Sequence, residues 1–352
     1  MISVNLGNRS YPIIVKNGVI NSLSSYLNNN REKWILISQD SIMQYYGDKL
    51  YDHLLGHGFE ITKVSIKDGE SSKDLAIYTD IISTMLENNF DRTSVVLSLG
   101  GGVVGDIAGF VSATYMRGIR YHQIPTTLLA MVDSSIGGKT GLNFSKTKNI
   151  IGSIYQPSSV IIDPEMLMTL PRDEVISGLG EIIKYGAIRD SNFLLQLSEW
   201  FEDLNKFPFT QAIENCSRIK AEIVSEDETE GGLRRILNFG HTVGHALESQ
   251  IGYNVIKHGE AVSYGMKCAS WISKEKGLLT EREYQIINET IGRLPLPELK
   301  NLNIEKVMEF IAFDKKYDRG TLNFVLLEGL GNAIVSKDVS HEMIIESIKT
   351  LQ

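Results

Sequence analysis

The first half of the chain alternates short β-branched and apolar runs with segments of helical periodicity. Strands are predicted at Lys33–Ser38, Glu60–Ile66 and Thr93–Leu99. Helices are predicted at Ser41–His57 and Ser72–Asn88, because their apolar residues recur at intervals of three and four. The uninterrupted apolar run of the third strand is typical of a parallel strand that is covered on both faces. The alternation therefore predicts an α/β domain with helices packed on a parallel sheet.

From about Pro171 the pattern becomes helical. Helical periodicity covers Asp173–Ile188, Phe193–Asn205, Phe209–Glu226, His241–Gln250, Gly259–Lys276, Glu281–Gly292 and Ile304–Ala312. A late pair of short apolar runs, Leu322–Leu327 and Ala333–Ser336, predicts a small hairpin. The 352 residues exceed what one hydrophobic core usually supports. We therefore expect an α/β nucleotide-binding domain at 1–170 and a mainly α-helical domain at 171–352.

The composition is that of a globular protein, with 42% hydrophobic and 22% charged residues. A net charge of −8 argues against nucleic acid or an anionic membrane as partners, since both need a positive field. It also argues against a small anion, unless positive charges are concentrated locally. Two cysteines exclude a disulfide framework, and we find no signal peptide or membrane-spanning run. A cytoplasmic protein is expected.

Glycines follow the third predicted strand and begin a helix in the pattern Gly100-x-Gly102-x-x-Gly105. This spacing fits the dinucleotide fingerprint, in which bare backbone and a helix N-terminus approach a pyrophosphate. A tight strand-to-helix turn explains the same glycines equally well. The acid available for a ribose is Asp40, which follows an earlier strand. Together these features predict a Rossmann-like nucleotide site of atypical topology.

The segment 121–143 is dense in small polar residues that would be costly to bury without partners. Its Gly-Gly-Lys-Thr run lacks the first glycine of a P-loop, so we reject that interpretation. We expect a ligand-lining segment in which Lys139 and the nearby Lys148 meet an anion. The alternative is that both lysines are solvated surface charges.

Three histidines crowd into 241–258, and His241 and His245 lie one helical turn apart. Thr242 stands where a zinc peptidase needs a glutamate, which disfavours peptidase chemistry. Glu181 is an acid in a mostly apolar helix, and with two of the histidines it predicts a catalytic zinc site with an open position. Taken singly, each histidine fits a capping or core role.

Basic residues recur on otherwise apolar or uncharged segments, and most fit solvated faces when taken one by one. They are Arg117, Lys139, Lys148, Lys184, Lys220, Arg234, Lys315 and Lys316. Lys184 is the exception, because it lies three residues from Glu181 on the same helical face.

These motifs together resemble the 3-dehydroquinate synthase family from about residue 40 to 330. The segments that carry the resemblance are Gly100–Asp106, Met116–Gly118, Pro125–Gly141, Lys148–Asn149, Ser177–Gly186, Leu237–Glu248 and His258–Val262. Met131 and Gly180 replace the Gln and Ala of many members, at positions not expected to carry chemistry. The family consists of NAD- and zinc-dependent carbon–oxygen lyases, usually homodimers, of the shikimate pathway to chorismate and the aromatic amino acids.

The resemblance implies conversion of 3-deoxy-D-arabino-heptulosonate 7-phosphate to 3-dehydroquinate and phosphate. The implied steps are transient oxidation by NAD, phosphate elimination, reduction, ring opening and aldol closure, without net redox change. The small anionic sugar phosphate is thus the expected partner. The active site is expected between the two domains.

The resemblance also implies the site residues. Zinc, or alternatively cobalt, is assigned to Glu181, His241 and His258. NAD is assigned to Asp40, Glu70, Lys73, Gly101, Gly102, Val103, Asp106, Thr126, Thr127, Leu129, Asp133, Ser134, Lys148, Thr169, Leu170 and Glu174. Substrate is assigned to Asp133, Lys139, Asn149, Lys184, Lys220, Glu230, Arg234, Asn238, His245 and one of Lys315 and Lys316. Arg117 is expected to reach the substrate phosphate of the neighbouring subunit.

Three other functions stay open at this point. Another sugar-phosphate cyclase, such as a 2-deoxy-scyllo-inosose or valiolone-type synthase, would share the NAD and zinc residues. Arg234 and Lys220 favour the first assignment, because both could pair with the heptulosonate carboxylate. A metal-dependent polyol dehydrogenase would show net redox turnover, and a nucleotide-binding regulatory module would have no use for the metal and lysine set.

Overall fold

The structure is a computed structural model that describes residues 2–28, 31–145, 147–252, 255–315 and 322–352. It divides into two compact units. The first comprises Met1–Leu170 and Lys220–Thr229, and the second comprises Pro171–Ile219 and Glu230–Gln352. The first unit therefore includes a segment that follows the boundary expected near residue 170.

The first unit contains a seven-stranded sheet and a two-stranded sheet with associated helices. Its strands are β1 (Ile2–Val4), β2 (Tyr11–Val15), β3 (Lys33–Gln39), β4 (Glu60–Ile66), β5 (Val95–Gly100), β6 (Arg120–Pro125), β7 (Lys139–Phe144), β8 (Thr147–Ile154) and β9 (Ser159–Ile162). Its helices are α1 (Asp40–Ile42), α2 (Asp48–Gly56), α3 (Leu75–Glu87) and α4 (Gly102–Thr114). Two π-helical turns, Met43–Gly47 and Ala130–Ser134, also belong to this unit.

The second unit is mainly helical. Its helices are α5 (Arg172–Arg189), α6 (Ser191–Trp200), α7 (Phe209–Glu226, of which Lys220 onward belongs to the first unit), α8 (His241–Ile251), α9 (His258–Glu275), α10 (Glu281–Gly292), α11 (Ile304–Lys315) and α12 (His341–Lys349). A hairpin joins β10 (Phe324–Leu327) to β11 (Ala333–Ser336). The fold class expected from the sequence, an α/β region followed by a helical region, is confirmed.

The large sheet has the strand order β1-β2-β9-β6-β5-β3-β4, with β1 antiparallel to β2 and the other pairs parallel. From β3 the chain proceeds to β4 on one side, and from β5 it proceeds to β6 on the other. The carboxyl ends of the neighbouring strands β3 and β5 thus form a topological switch point, where ligands bind in open α/β sheets. Asp40 follows β3 here, and Gly101 and Gly102 follow β5.

The core of the first unit explains why β5 reads as a continuous apolar run. All six of its residues are buried, since the sheet is covered on both faces. Ile35 and Val96 of the sheet pack in one cluster with Ile81 of α3, Ile107 of α4 and Leu142 of β7. The hairpin of β7 and β8 is therefore anchored to the same core as the sheet.

Helices of the second unit approach one another closely at glycines. A Cβ on Gly259 of α9 would lie 1.8 Å from the Ser177 carbonyl oxygen of α5, and one on Gly180 would lie 2.3 Å from the Gly259 oxygen. A Cβ on Gly265 of α9 would lie 1.9 Å from the oxygen of Gly240, just before α8. These contacts fix α5, α8 and α9 against each other, and these three helices supply the metal-site residues described below.

Within the described residues, no helix combines the length and the apolar character needed to cross a membrane.

Candidate functional site

The glycine turn after β5 packs closely against the predicted Thr126–Ser134 segment. A Cβ on Gly101 would lie 3.0 Å from Thr127 Cγ2, and one on Gly102 would lie 3.3 Å from Ser134 Oγ. The amide of Thr126, the residue after β6, donates to the Gly100 oxygen at 3.0 Å and holds the two strand ends together. The half-buried N-terminus of α4 thus lies beside this segment, where its backbone N–H groups suit an anion.

Two buried hydroxyls in this region have no hydrogen-bond partner among the described residues. They are Thr126 Oγ1 and Ser134 Oγ. Buried hydroxyls are normally paired, so two orphans beside a glycine turn at a switch point point to a polar ligand. A dinucleotide, with phosphate oxygens and ribose hydroxyls, suits both the orphaned oxygens and the bare backbone.

A buried lysine organises the acids predicted near the nucleotide. Lys73, with 4% of its surface exposed, donates to Asp106 Oδ2 at 2.6 Å and lies 3.6 Å from Glu70 Oε1. The Asn143 amide donates to the same Glu70 oxygen at 2.8 Å. Burial raises the pKa of Asp106, and the charge of Lys73 opposes the shift. The structure thus brings three residues of the predicted NAD set together.

A cavity of about 340 Å³ adjoins this cluster between α4 and the β7–β8 hairpin. Its lining residues are Asp106, Lys139, Thr140, Asn149, Ile150, Gly152, Ser153 and Ile154. Asn149 adopts a left-handed backbone with φ of +54°, and its backbone N–H donates to Asn143 Oδ1 at 2.9 Å. The cavity brings the predicted substrate residues Lys139 and Asn149 together with Asp106.

The segment 220–229 contributes a buried cation to the first unit. Lys220, 4% exposed, donates to the Asp133 backbone oxygen at 2.6 Å and also to the Asp133 carboxylate. Glu228 accepts two hydrogen bonds from Arg9, both at 2.7 Å, and one from Gln156 at 3.0 Å. These contacts hold the segment against the rest of the first unit. They also place two predicted substrate residues, Lys220 and Asp133, side by side.

Other predicted residues of the first unit lie around its sheet edge and surface. Asp40 is exposed and accepts a hydrogen bond from Ser65 of β4. Thr169 shares a hydrogen bond of 2.7 Å with Tyr46. The remaining members are Val103 in α4, Leu129 before the Ala130–Ser134 turn, Lys148 exposed in β8, and Leu170 at the end of the first segment.

Arg117 lies in an exposed turn with unusual backbone geometry. Met116 and Arg117 have φ of +49° and +67°, and Gly118 follows at +121°. Two consecutive non-glycine residues in the left-handed region are costly, and such strain persists only where surrounding contacts impose it. Here Gly118 N donates to Tyr115 O at 2.9 Å, and Tyr115 is anchored to the Phe90 oxygen.

In the second unit, three helices bring the predicted metal ligands together. Glu181 lies on α5, His241 begins α8 and His258 begins α9. One nitrogen from each of His241, His245 and His258 lies within 4.8 Å of the others. The Nε2 atoms of His241 and His258 both lie 3.5 Å from Glu181 Oε1.

These separations fit a tetrahedral ion. Zinc bonds of about 2.1 Å place neighbouring ligand atoms about 3.4 Å apart. The donor set of imidazoles and one carboxylate is that of a catalytic zinc site. Glu181 is fully buried and forms an ion pair with Lys184, which is 1% exposed. Lys184 is thus a charged partner of the kind that a buried carboxylate needs.

The pKa values of the two histidines shift in opposite directions. Burial lowers the pKa of His241 well below its usual value, and the nearby Lys184 charge adds to the effect while Glu181 opposes it. Burial also acts to lower the pKa of His258, but hydrogen bonds to Glu181 and Glu248 prevail and raise it to about 9. His241 is therefore neutral, the form that a metal requires.

Glu248 contacts this site and was not singled out from the sequence. It is 8% exposed, and its Oε2 lies 3.2 Å from His258 Nδ1. Glu248 follows His241 by seven residues on α8, a spacing that returns to the same helix face. That periodicity, extended one turn past His245, was the signal that could have identified it.

The other predicted residues of the second unit occupy three further places. Glu230 accepts from the Asn238 amide at 3.0 Å, and Arg234 in the 3₁₀ turn Leu233–Asn238 is 1% exposed. Glu174 near the start of α5 accepts from Lys257 at 2.7 Å. Lys315 ends α11 and its side chain is outside the described part of the chain, as is all of Lys316.

Comparisons with known proteins place both units in one enzyme family. The family model for the 3-dehydroquinate synthase N-terminal region matches residues 63–177, and that for the C-terminal region matches 178–317. A curated 3-dehydroquinate synthase of Clostridium acetobutylicum is 41% identical, with 97% of both chains covered.

Two solved structures are also similar to the chain. The 2-epi-5-epi-valiolone synthase of Streptomyces hygroscopicus subsp. jinggangensis 5008, with NAD+ and Zn2+ bound, has a TM-score of 0.88 and 28% identity over 97% of this chain and 96% of its own. A 2-deoxy-scyllo-inosose synthase complexed with carbaglucose-6-phosphate, NAD+ and Co2+ has a TM-score of 0.89 and 25% identity, with 99% of both chains covered.

Proposed function

The chain belongs to the 3-dehydroquinate synthase family, and we propose how its own residues divide the work of that reaction. The enzyme is a carbon–oxygen lyase that converts 3-deoxy-D-arabino-heptulosonate 7-phosphate to 3-dehydroquinate and phosphate. The observation that carries the proposal is the convergence of Glu181, His241 and His258 from three helices of the second unit.

These three residues are proposed to hold a zinc ion, with cobalt as an alternative. Such an ion, when bound, supplies Lewis-acid stabilisation of negative charge on a substrate oxygen. Lys184 is paired with Glu181 and buried, so it holds the carboxylate in one orientation and offers a positive charge at the edge of the site. His245 lies within 4.8 Å of the other two histidines and is exposed, which suits a side chain that passes a proton to or from substrate.

NAD is proposed to bind at the switch point of the first unit. A bound nicotinamide supplies a reversible hydride acceptor, so that the reaction has no net redox change. The α4 N-terminus is suited to the pyrophosphate, and Thr126 Oγ1 and Ser134 Oγ supply unpaired hydroxyls. Asp40 at the end of β3 is the acid proposed for a ribose. Glu174 and the other predicted NAD residues remain assigned to this cofactor.

The substrate anions are proposed to meet lysines and arginines that folding has already desolvated. Lys220 and Arg234 are 4% and 1% exposed, and charge-assisted hydrogen bonds to carboxylate or phosphate are strong in such surroundings. Lys139 and Asn149 offer further donors at the cavity beside α4. Glu230 orients the Asn238 amide, and one of Lys315 and Lys316 completes the set.

A single assay tests this function. The purified protein is incubated with the heptulosonate phosphate, catalytic NAD and zinc, and phosphate release is measured with NADH absorbance. We expect phosphate release without accumulation of NADH. Absence of phosphate would contradict the proposal, while stoichiometric NADH would indicate a dehydrogenase. Glucose 6-phosphate, which has a phosphate but no carboxylate, serves as the control substrate, and faster turnover of it would indicate a different sugar-phosphate cyclase.

Two further features belong to the proposal. A homodimer in which Arg117 serves the neighbouring subunit is supported by the exposed and strained turn that presents this arginine. A cytoplasmic role in the shikimate pathway is supported by Cys216 and Cys268, whose buried thiols suit a reducing compartment. Cell fractionation with an antibody against the chain tests the location.

A further inference from the structure

The His258 ring lies between two carboxylates, one at each nitrogen. Nε2 is 3.5 Å from Glu181 Oε1, and Nδ1 is 3.2 Å from Glu248 Oε2. The two ring nitrogens of a histidine are chemically distinct, and the partner of one decides what the other can bind.

We propose that Glu248 is a positioning residue for metal binding, which accepts the Nδ1–H of His258 and thereby turns Nε2, whose proton a bound metal would displace, toward Glu181 and His241. This role rests on the metal site proposed above, and it extends that site beyond its direct ligands. Glu248 itself contacts no reacting atom in this proposal, because it acts only through the imidazole.

The register of α8 explains how one helix serves two ligands. His241 is its first residue, and Glu248 lies two turns later on the same face. His258 is the first residue of α9, so its hydrogen bond to Glu248 joins a proposed metal ligand on α9 to α8. A shift of α9 along α8 would separate Glu248 from the ring, and the contact therefore sets the position of His258 relative to His241.

Burial increases the effect that the hydrogen bond between Glu248 and His258 has on the metal site. Glu248 is 8% exposed, and a carboxylate so placed needs hydrogen-bond donors, of which His258 Nδ1 is one. A neutral imidazole that lacks an acceptor at Nδ1 is free to carry its proton on either nitrogen and to rotate about χ2. Each wrong tautomer or rotamer removes the Nε2 lone pair from the metal position, so the partner raises the fraction of molecules that can bind metal.

The test compares zinc affinity in the full-length protein. Apparent Kd values are measured by competition with a chromophoric chelator for the parent, Glu248→Ala and Glu248→Gln. We expect Glu248→Ala to bind zinc about 10- to 100-fold more weakly, the usual effect of losing such a partner. Glu248→Gln should fall between it and the parent, since its amide oxygen still accepts a hydrogen bond. NAD affinity should stay unchanged in both.

A matched control is Glu283→Ala. Glu283 caps α10 in the same unit and accepts from Thr280 N and Oγ1 at 2.8 and 2.7 Å, with no described contact to the histidines. Its loss should lower the melting temperature while leaving zinc affinity as in the parent. Visible spectra of the Co2+-loaded proteins add a readout of ligand geometry, and only the Glu248 variants should show shifted ligand-field bands.

The outcomes separate the two proposals. A parent that binds no zinc contradicts the metal site and, with it, the role of Glu248. If the parent binds zinc and Glu248→Ala binds it equally well, only the role of Glu248 is overturned. A loss in Glu248→Gln as large as in Glu248→Ala also overturns the hydrogen-bond role. If Glu248→Ala does not fold, Glu248→Gln decides, because an intermediate loss supports the proposal and parent-like affinity overturns it.

Discussion

At the scale of single residues, His258 is the side chain whose removal should affect the metal most selectively. His258→Ala removes one proposed ligand, so we expect zinc affinity to fall by more than about 100-fold, beyond the range for an indirect partner. Turnover should be lost with it. NAD affinity should largely survive, because the proposed nucleotide residues lie mostly in the first unit. Zinc content after dialysis and NAD titration measure both effects.

The control for this substitution is His57→Ala, since His57 is an exposed histidine of the first unit. Full zinc retention by His258→Ala would refute the ligand assignment. A pair of further variants identifies the third ligand, because either Glu181 or His245 could complete the set geometrically. Zinc lost in Glu181→Gln and kept in His245→Ala would support the assignment by family resemblance.

The acid sensitivity of the first unit should depend on His122. Its ring stacks on Trp34 and pairs with Ser159 Oγ at 2.7 Å, and burial lowers its pKa to about 4, with the Arg120 charge adding to the shift. An unfolded histidine titrates near 6.5, so between these values the unfolded state binds more protons and stability falls as pH falls. From pH 7 to pH 5 this residue should cost about 2 kcal/mol of unfolding free energy.

Urea unfolding of the parent and of the double variant His122→Phe, Ser159→Ala at both pH values checks this. The phenylalanine keeps a ring against Trp34, and the alanine avoids an orphaned Ser159 hydroxyl. The variant should lose less stability on acidification than the parent. Equal losses in the two proteins would show that protonation of His122 does not contribute to the loss of stability between pH 7 and pH 5.

Single residues also show how far sequence reasoning extends. An acid in an apolar helix predicts a site role for Glu181, and polar density predicts one for Thr126 and Ser134, because an unpaired polar group is costly wherever it is buried. Glu248 was missed, since its meaning depends on a ring ten residues later that only the packing of two helices brings to it. Which of Lys315 and Lys316 meets substrate stays a prediction.

At the scale of elements, the crossing of α5 and α9 depends on glycine. A Cβ on Gly259 would lie 1.8 Å from a backbone oxygen, which cannot move without shifting the helix. Gly259→Ala should therefore destabilise the protein by at least about 2 kcal/mol, within the range for overpacking a tight contact. Because Gly259 follows His258 directly, zinc affinity should fall as well. Denaturant unfolding and chelator competition measure the two effects.

Gly292→Ala is the matched control. Gly292 is the last residue of α10, and an added Cβ there meets nothing within 4 Å. That substitution should leave stability unchanged or raise it by up to about 1 kcal/mol. If Gly259→Ala behaved like Gly292→Ala, the close approach would not constrain the helices as described.

Elements with a strong local pattern were predictable, and elements held by distant contacts were not. Helix α7 spans Phe209–Glu226 as the apolar spacing predicts. The sequence of β7 predicts only a polar ligand-lining segment and no hairpin with β8, because Gly141 and Gly152 interrupt the alternation of apolar and polar residues where the two backbones meet. The place of the segment 220–229 depends on Glu228 pairing with Arg9, 219 residues away, which no local pattern encodes.

At the scale of the whole molecule, net charge is a poor guide to the ligand. The chain carries −8 overall, yet Lys73, Lys184, Lys220 and Arg234 are each less than 5% exposed. The expectation that an acidic chain disfavours small anions considers only the electric field that the net charge produces at the surface. Buried cations in a low dielectric act locally, where a sugar phosphate would meet them.

The proposed dimer makes a specific prediction about Arg117. If this arginine serves the neighbouring site, a purified heterodimer of one Arg117→Ala chain and one His258→Ala chain should contain one complete site out of two, with about half the parental activity. Each variant alone should be nearly inactive. Light scattering confirms the assembly, and an inactive heterodimer would show that Arg117 acts within its own chain.

The return of residues 220–229 to the first unit affects the order in which the protein can be completed during synthesis. A ribosome that has released only the first 170 residues has not yet made the segment 220–229, which contacts Arg9, Gln156 and Asp133. The nucleotide-binding half therefore waits for about 60 further residues, whose helices must form meanwhile without the rest of their own unit. Neither half is a contiguous stretch of the gene, so neither can be excised by a single cut.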